Sequence, residues 1–412
     1  MLRHFRNRAV NLLSIIIFVT VLLACWSQPA VAAEKTVKIG ASISLSGKFV
    51  REGTAIKKGY EFWADWVNAQ GGIQIGPEKY KAQMIYYDDE SNPQTAAKLV
   101  EKLITDDKVD LLLGPYASGI AMPATTISEQ NGYVMILPLN NSDSLYTRGY
   151  KHIFSVAPVA SREGWSTLDL MWEQVQPPPK SIAILAPNST FSLVVATGLK
   201  DYATQKGMDV VLFEKFPEET SDLSSLLAVL KTKNPDILYV CGYFEHSTLV
   251  TRQLKDLGYI PKALAFSIGP QLPEFAETLG KSADHALAPT YWLSSMKYAD
   301  PAFNCAQYTE MFKKKFGHEP TYQSAHSTSA GRLLQRALEK AGSLEQEKIR
   351  KVLSEMDLTD TITGKIKFDD RGVNIGGKVG VVQIQNGAQK VIFPSVAADG
   401  KLIYPAVPWD KR

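Results

Sequence analysis

The stretch LLLGPYASG (111–119) carries the most specific chemistry in the chain. An apolar run ends at Gly114-Pro115, and Ser118 stands where a helical pattern begins. A serine at that point can cap the helix, and the unpaired N–H groups of the first turn carry partial positive charge. Such a terminus attracts a carboxylate, by roughly 0.3–1 kcal/mol, or up to about 2 kcal/mol where partly buried. Hydrogen bonds to a charged ligand add roughly 1.5–3 kcal/mol each. An ordinary helix cap uses the same residue type, so spacing alone leaves both roles open.

Other chemistry is poorly represented. There is no G-x-G-x-x-G after the first strand, no phosphate-binding G-x-x-x-x-G-K-[ST] and no G-x-S-x-G elbow. The six histidines are scattered and no H-E-x-x-H or C-x-x-C occurs, so neither a metal nor a cofactor is expected. Asp88-Asp89-Glu90 could hold a cation, but acids at a strand end that flank a capped helix are expected to face solvent. Nothing here argues for an enzyme.

The elements that must position Ser118 follow a regular plan. Val37–Ile43, Gln83–Tyr87, Val109–Leu113 and Tyr133–Leu137 read as strands, with helices over Gly53–Asn68, from Asn92-Pro93 to Ile104, and over 118–130 between them. After Pro158 the plan restarts, with strands at Ser181–Leu185, Asp209–Phe213, Asp236–Cys241 and Ala263–Phe266. Helices fall near 191–206, 222–232 and 245–257. Both halves contain an apolar strand ending in glycine and tyrosine: Asp110 to Tyr116, and Asp236 to Tyr243. Open α/β sheets place ligands at such carboxyl ends. Helices near 301–316, 322–341 and 345–356 and strands near 365–369, 379–384 and 390–393 complete the chain. Alternation of this kind predicts α/β architecture: two Rossmann-like lobes with parallel central sheets, and a ligand in the cleft between them.

Composition agrees. The 412 residues are 45% hydrophobic and 21% charged, enough for two lobes that each bury a core. The formal charge is +3, and the only charged residues before Cys25 are Arg3, Arg6 and Arg8. A chain starting at Cys25 therefore carries no net charge, which disfavours nucleic-acid binding. Those arginines precede the apolar run Leu12–Ala24, which reads as an export signal within residues 1–33. Leu22-Leu23-Ala24-Cys25 resembles a bacterial lipobox with Cys25 as the lipidated residue, while Ala30 to Ala33 fit ordinary signal cleavage. Cys241 and Cys305 are expected to be unpaired, buried thiols in different lobes.

Several motifs, in order, resemble the amino-acid-binding family of periplasmic ABC-transporter proteins, the group that includes leucine/isoleucine/valine-binding proteins. They are SGKFVREG…WVNAQGGI (46–73), YYDDESNPQTAAKLVEKLI (86–104), GPYASG (114–119), YFEHSTLVTRQLKDLGY (243–259) and FGHEPTYQSAHSTSAGRLLQRALEKAG (316–342). The resemblance covers roughly 36–394. It implies a type I periplasmic-binding fold with a three-crossover hinge, one lobe at 36–156 plus 296–358 and the other at 157–295 plus 359–400. It implies that Ser118 binds a ligand carboxylate, with Tyr116 and Ala117 lining the approach. Asn141 stands where the family has a hydroxyl residue, with Ser142 adjacent, and Phe191 and Tyr243 match cleft aromatics.

The largest departure concerns the ammonium. Family members place a glutamate after a Gly-Pro pair, but Gly269-Pro270 is followed here by Gln271, which can hydrogen-bond a cation without neutralising it. Either Glu52 or Glu245 supplies the charge, or the ligand is not an ordinary α-amino acid. Trp292 and Tyr322 either wall the site or pack the core. The expectation is a monomeric solute-binding protein of an ABC importer, not an enzyme, without cofactor. It sits in the periplasm or at the outer face of the bacterial cytoplasmic membrane, lipid-anchored if Cys25 is modified. Its partners are a small carboxylate-bearing ligand and a membrane permease. A sensory ligand-binding protein and an exported enzyme are the alternatives.

Overall fold

Short apolar runs such as Leu111–Leu113 and Met135–Leu137 are buried at every residue, so both faces of their sheet are covered. The computed structural model, which describes residues 34–412, places them in a six-stranded sheet. Its strands are β1 (Thr36–Ile43), β2 (Ile73–Ile75), β3 (Glu78–Asp88), β4 (Leu111–Leu113), β5 (Met135–Leu137) and β6 (Ile153–Ser155). Side by side they run β2-β3-β1-β4-β5-β6, all parallel except β2 against β3.

The second sheet takes β7 (Ser181–Pro187), β8 (Asp209–Phe216), β9 (Ile237–Val240), β10 (Ala263–Phe266) and β11 (Leu287–Thr290). A small antiparallel pair, β12 (Asp357–Leu358) and β13 (Ile366–Lys367), precedes its last members, β14 (Gly380–Gln385) and β15 (Ala388–Phe393). The order is β15-β14-β11-β10-β9-β7-β8, with β14 antiparallel to β11 and β15. β11 was not among the expected strands, and Pro289 inside it lacks the N–H a ladder needs.

The chain crosses between the sheets three times: after β6, after β11, and between the helix Gln346–Ser354 and β14. The second crossing returns the helix Tyr322–Ala341 to the first sheet, where it packs on the helix Val50–Ala69. Ser324 Oγ donates to the Ala55 carbonyl at 3.1 Å and Thr328 Oγ1 to the Gly59 carbonyl at 3.0 Å. Such close approach needs glycine at 59: a Cβ there would lie 2.3 Å from the Ser324 carbonyl oxygen.

Local chemistry explains the other boundaries. The Asn92 side chain accepts from the Gln94 and Thr95 N–H groups at 2.9 and 3.0 Å, and Pro93 opens that helix as expected. Asp88-Asp89-Glu90 does not face solvent as a run. Asp89 is fully buried and accepts from Ser44 Oγ at 2.6 Å, while Asp88 Oδ1 accepts from the Leu45 and Ser46 N–H groups. Both acids therefore fasten the loop after β1 rather than hold an ion, and burial raises Asp89 to a pKa of about 6. Cys241 and Cys305 are free and buried, as expected. Among the described residues, no helix is long and apolar enough to cross a membrane, and no group of three or more acids, histidines or cysteines could hold a metal. Cys25 and the export segment lie outside the described residues.

Candidate binding site

Loops leaving the carboxyl ends of β4 and β5 in one sheet meet loops leaving β7, β9 and β10 in the other. They enclose a cavity of about 20 Å³. The first sheet contributes Tyr116, Ala117, Ser118, Leu139 and Asn141, and the second Phe191, Tyr243, Ile268 and Tyr291. Tyr322 comes from the returning helix and Glu163 from the first crossing. That volume admits one water, against roughly 300–1,000 Å³ for ordinary ligand pockets, so a larger guest requires the two sides to part.

Ser118 sits at this wall but is not a cap. Ala117 holds the extended cap conformation, and Ser118 is the first helical residue. Its Oγ accepts only a long bond, 3.4 Å, from the Ser142 N–H, which leaves the hydroxyl proton available to a ligand. The backbone is held in place by Asn140, whose Nδ2 donates to the Tyr116 carbonyl at 2.8 Å. The Tyr116 hydroxyl is buried with no partner, and burial holds it protonated.

Aromatic rings join the two sides. Tyr243 lies 5.5 Å from Phe191, 6.2 Å from Tyr116 and 5.1 Å from Phe49, measured between ring centroids. Outside this cluster, Lys48 Nζ reaches Glu218 at 3.2 Å and Glu219 at 3.1 Å, and the Arg51 guanidinium stacks 3.7 Å from the Phe244 ring centre. These contacts tie the loops after β1 to those after β8 and β9.

Four expected site residues lie elsewhere. Gln271 is consumed by its own loop: Oε1 accepts from the Gly269 N–H at 2.9 Å and Nε2 donates to the Ser267 carbonyl at 2.7 Å. Trp292 points into the core, donating to Cys305 Sγ at 3.3 Å and packing edge-on against Tyr308. Its neighbour Tyr291 faces the cavity instead, because successive side chains past a strand end point to opposite sides. Ser142 Oγ bonds Ser144 Oγ and the Thr190 carbonyl and does not reach the wall. Glu52 is buried but paired with Arg51, also off the wall. Glu245, the other suggested acid, is half exposed. Asn141 is at the wall, with Nδ2 donating to the Tyr291 hydroxyl at 3.0 Å and to the Pro158 carbonyl at 2.6 Å.

The residue that sequence reasoning missed is Glu163. It is wholly buried, its Oε2 accepts from the Tyr291 hydroxyl at 2.8 Å, and its Oε1 has no partner. Burial raises its pKa to about 8, with the Tyr291 and Ser267 hydroxyls opposing part of that rise. One signal was present: the plan restarts after Pro158, so the segment that follows must pass the cleft.

Two mainly parallel sheets, three crossings and a cavity at facing strand ends invite comparison with known proteins. A model of the periplasmic binding protein family matches residues 36–389. The chain belongs to that family. Leu/Ile/Val-binding protein homolog 7 of Brucella suis is 24% identical over 389 residues, covering 91% of this chain and 96% of that protein. A branched-chain amino-acid transporter substrate-binding protein of Streptococcus pneumoniae, solved with isoleucine, superposes with a TM-score of 0.76 at 22% identity. The match covers 87% of this chain and 99% of that one. A solute-binding protein of R. palustris, solved with benzoate, gives a TM-score of 0.73 at 20% identity over 90% of this chain and 98% of that one. The fold of this periplasmic binding protein is thus the two-lobed, three-crossing type, and Ser118, Phe191 and Tyr243 line its cleft.

Proposed function

We propose that this protein is the extracytoplasmic solute-binding component of an ABC importer. It would capture a small carboxylate-bearing ligand, an amino acid or a relative, between lobes at 36–156 plus 296–358 and 157–295 plus 359–400. The observation that carries this reading is the cavity in which a helix start at Ala117-Ser118 faces Phe191, Tyr243 and Tyr291 across the cleft. Isoleucine and benzoate, the guests of the two superposed proteins, share a carboxylate and an apolar body. Unpaired N–H groups suit the first and aromatic rings the second.

Binding works by differential contact. The carboxylate docks on the Ser118 terminus while the lobes are apart, and the aromatic side then closes over it. Contacts made only in the closed form draw the population toward that form, which a membrane permease reads. Micromolar capture needs about −8.2 kcal/mol net, within reach of several charge-assisted hydrogen bonds plus aromatic burial. The reading includes export directed by residues 1–24, with lipid attachment at Cys25. Cys25→Ser is then expected to abolish lipid labelling in cells, and a mature chain beginning near Ala33 would remove the anchor.

The direct test is calorimetry with Ser118→Ala. Affinity for a carboxylate ligand is expected to fall by roughly 1–3 kcal/mol with the melting temperature preserved. Unchanged affinity would take Ser118 out of the site.

A further inference from the structure

A second hollow, of about 600 Å³, shares no lining residue with the central cavity. Its volume falls within the roughly 300–1,000 Å³ of ordinary ligand pockets. The helix Val50–Ala69 and the start of the helix Tyr322–Ala341 form one wall. The short helix Pro273–Leu279, which follows β10, forms the other. A guest in this hollow therefore touches elements that pack on both sheets.

Three polar atoms around it are buried without partners. Gln323 is only 2% exposed, and its Oε1 accepts no hydrogen bond. Glu274 Oε2, on the facing helix, is equally unpaired. Thr321 Oγ1 is the third: the residue stands at the cap position of its helix but makes no side-chain cap bond. Buried polar atoms in folded proteins are nearly always paired, and three orphans around one hollow await a partner from outside the chain.

The orphans share a chemistry, since each can accept a hydrogen bond. The cationic donors beside them are engaged. Arg51 pairs with Glu52 and lies over the Phe244 ring, and Lys58 Nζ bonds His318 Nε2 at 2.6 Å. Charge favours the same kind of guest. Glu277 lies three residues beyond Glu274, on the same face of their helix, and Glu319 stands on the other wall. With Arg51 cancelled by Glu52, these three acids face the single formal charge of Lys58. The helix start at Thr321 carries roughly half a positive charge, which is smaller than that excess. Val50, Leu272 and Pro273 make the remainder of the wall apolar.

We infer that this hollow is a second ligand site, for a small cation rich in N–H donors: an amine or guanidine on a short apolar stem. The cationic head donates to Glu274 Oε2, Gln323 Oε1 and Thr321 Oγ1, and the stem lies along Val50 and Leu272. No covalent bond is made or broken. The inference goes beyond the cleft-binding reading and stands whatever guest the central cavity takes.

The test is titration calorimetry on the full chain with butylamine, 1,5-diaminopentane and agmatine. Pentane-1,5-diol and glutarate are the neutral and anionic controls. Support is one-to-one binding of at least one of the amines, at least about tenfold tighter than either control and weakened by salt. Glu274→Gln is expected to lower that affinity at least about tenfold, and Gln323→Leu and the exposed Glu277→Gln by about threefold each. Should Glu274→Gln not fold, Gln323→Leu and Glu277→Gln decide. Absence of amine binding at millimolar concentration overturns the inference, as does a diol or dicarboxylate that binds as tightly as the amines. Amine affinity that survives the substitutions at 274, 277 and 323 overturns it too. So does a loss in Glu163→Gln as large as in Glu274→Gln, which would put the cation in the central cavity.

Discussion

Closure of the cleft is expected to depend measurably on Lys48. Its ammonium bridges Glu218 and Glu219 from the loop after β1 to the loop after β8, at 3.2 and 3.1 Å. The lysine side chain is 36% exposed, and the two acids are 26% and 81% exposed. Neither pair is buried, so each contributes at most roughly 0.2–1 kcal/mol, and the better shielded Glu218 pair dominates. Lys48→Met keeps an unbranched side chain and removes the charge, including the ammonium's 5.2 Å approach to the Phe49 ring centre, so the closed form is expected to lose roughly 0.5–1 kcal/mol. That corresponds to a two- to fivefold shift toward the open form and, for a ligand held by the closed form, an equal rise in Kd, by about that factor. Paired fluorophores on the two lobes read the first quantity and calorimetry the second. Salt supplies an internal control. Raising ionic strength shortens the screening length from about 10 Å at 0.1 M to about 3 Å at 1 M, and is expected to weaken the native protein more than the variant. Equal affinity and equal salt response in both proteins would refute the bridge as a closing contact.

Other consequences concern the frame. Gly59→Ala is expected to destabilise the protein by roughly 1–3 kcal/mol in denaturant melts, because the added methyl meets the Ser324 carbonyl at 2.3 Å and must force two helices apart. Asp89 titrates near 6 when folded, above an ordinary aspartate, so the folded protein binds that proton more tightly than the unfolded chain. Stability is therefore expected to rise as pH falls from about 7 towards 4, by up to roughly 1–3 kcal/mol, and Asp89→Asn is expected to flatten that part of the melting curve. Trp292 belongs to the core: Trp292→Phe is expected to lower stability by roughly 1–3 kcal/mol without altering ligand affinity, since its ring packs on Tyr308 and not on the cavity.

Much of the architecture was readable one residue at a time. The caps at Asn92-Pro93 and the apolar strands at 111–113 and 237–240 follow from short-range rules, in which a residue's neighbours in sequence are also its partners in space. Ser118, Tyr116, Asn141, Phe191 and Tyr243 come together at the cavity, because strand ends are where such sheets expose loops to a cleft. Gln271 and Trp292 lie off the cavity wall for the opposite reason. Whether an amide faces a ligand or closes its own loop, and which of Tyr291 and Trp292 turns inward, depends on contacts with Ser267, Gly269 and Cys305 that no local spacing encodes. Glu163 is the plainest case. Its letter is that of an ordinary surface acid, and only the crossing of the chain behind Tyr291 strips it of water and leaves one oxygen unpaired. Desolvation is a property of the surrounding volume, so the protonation of this cleft acid was settled by packing between segments more than a hundred residues apart.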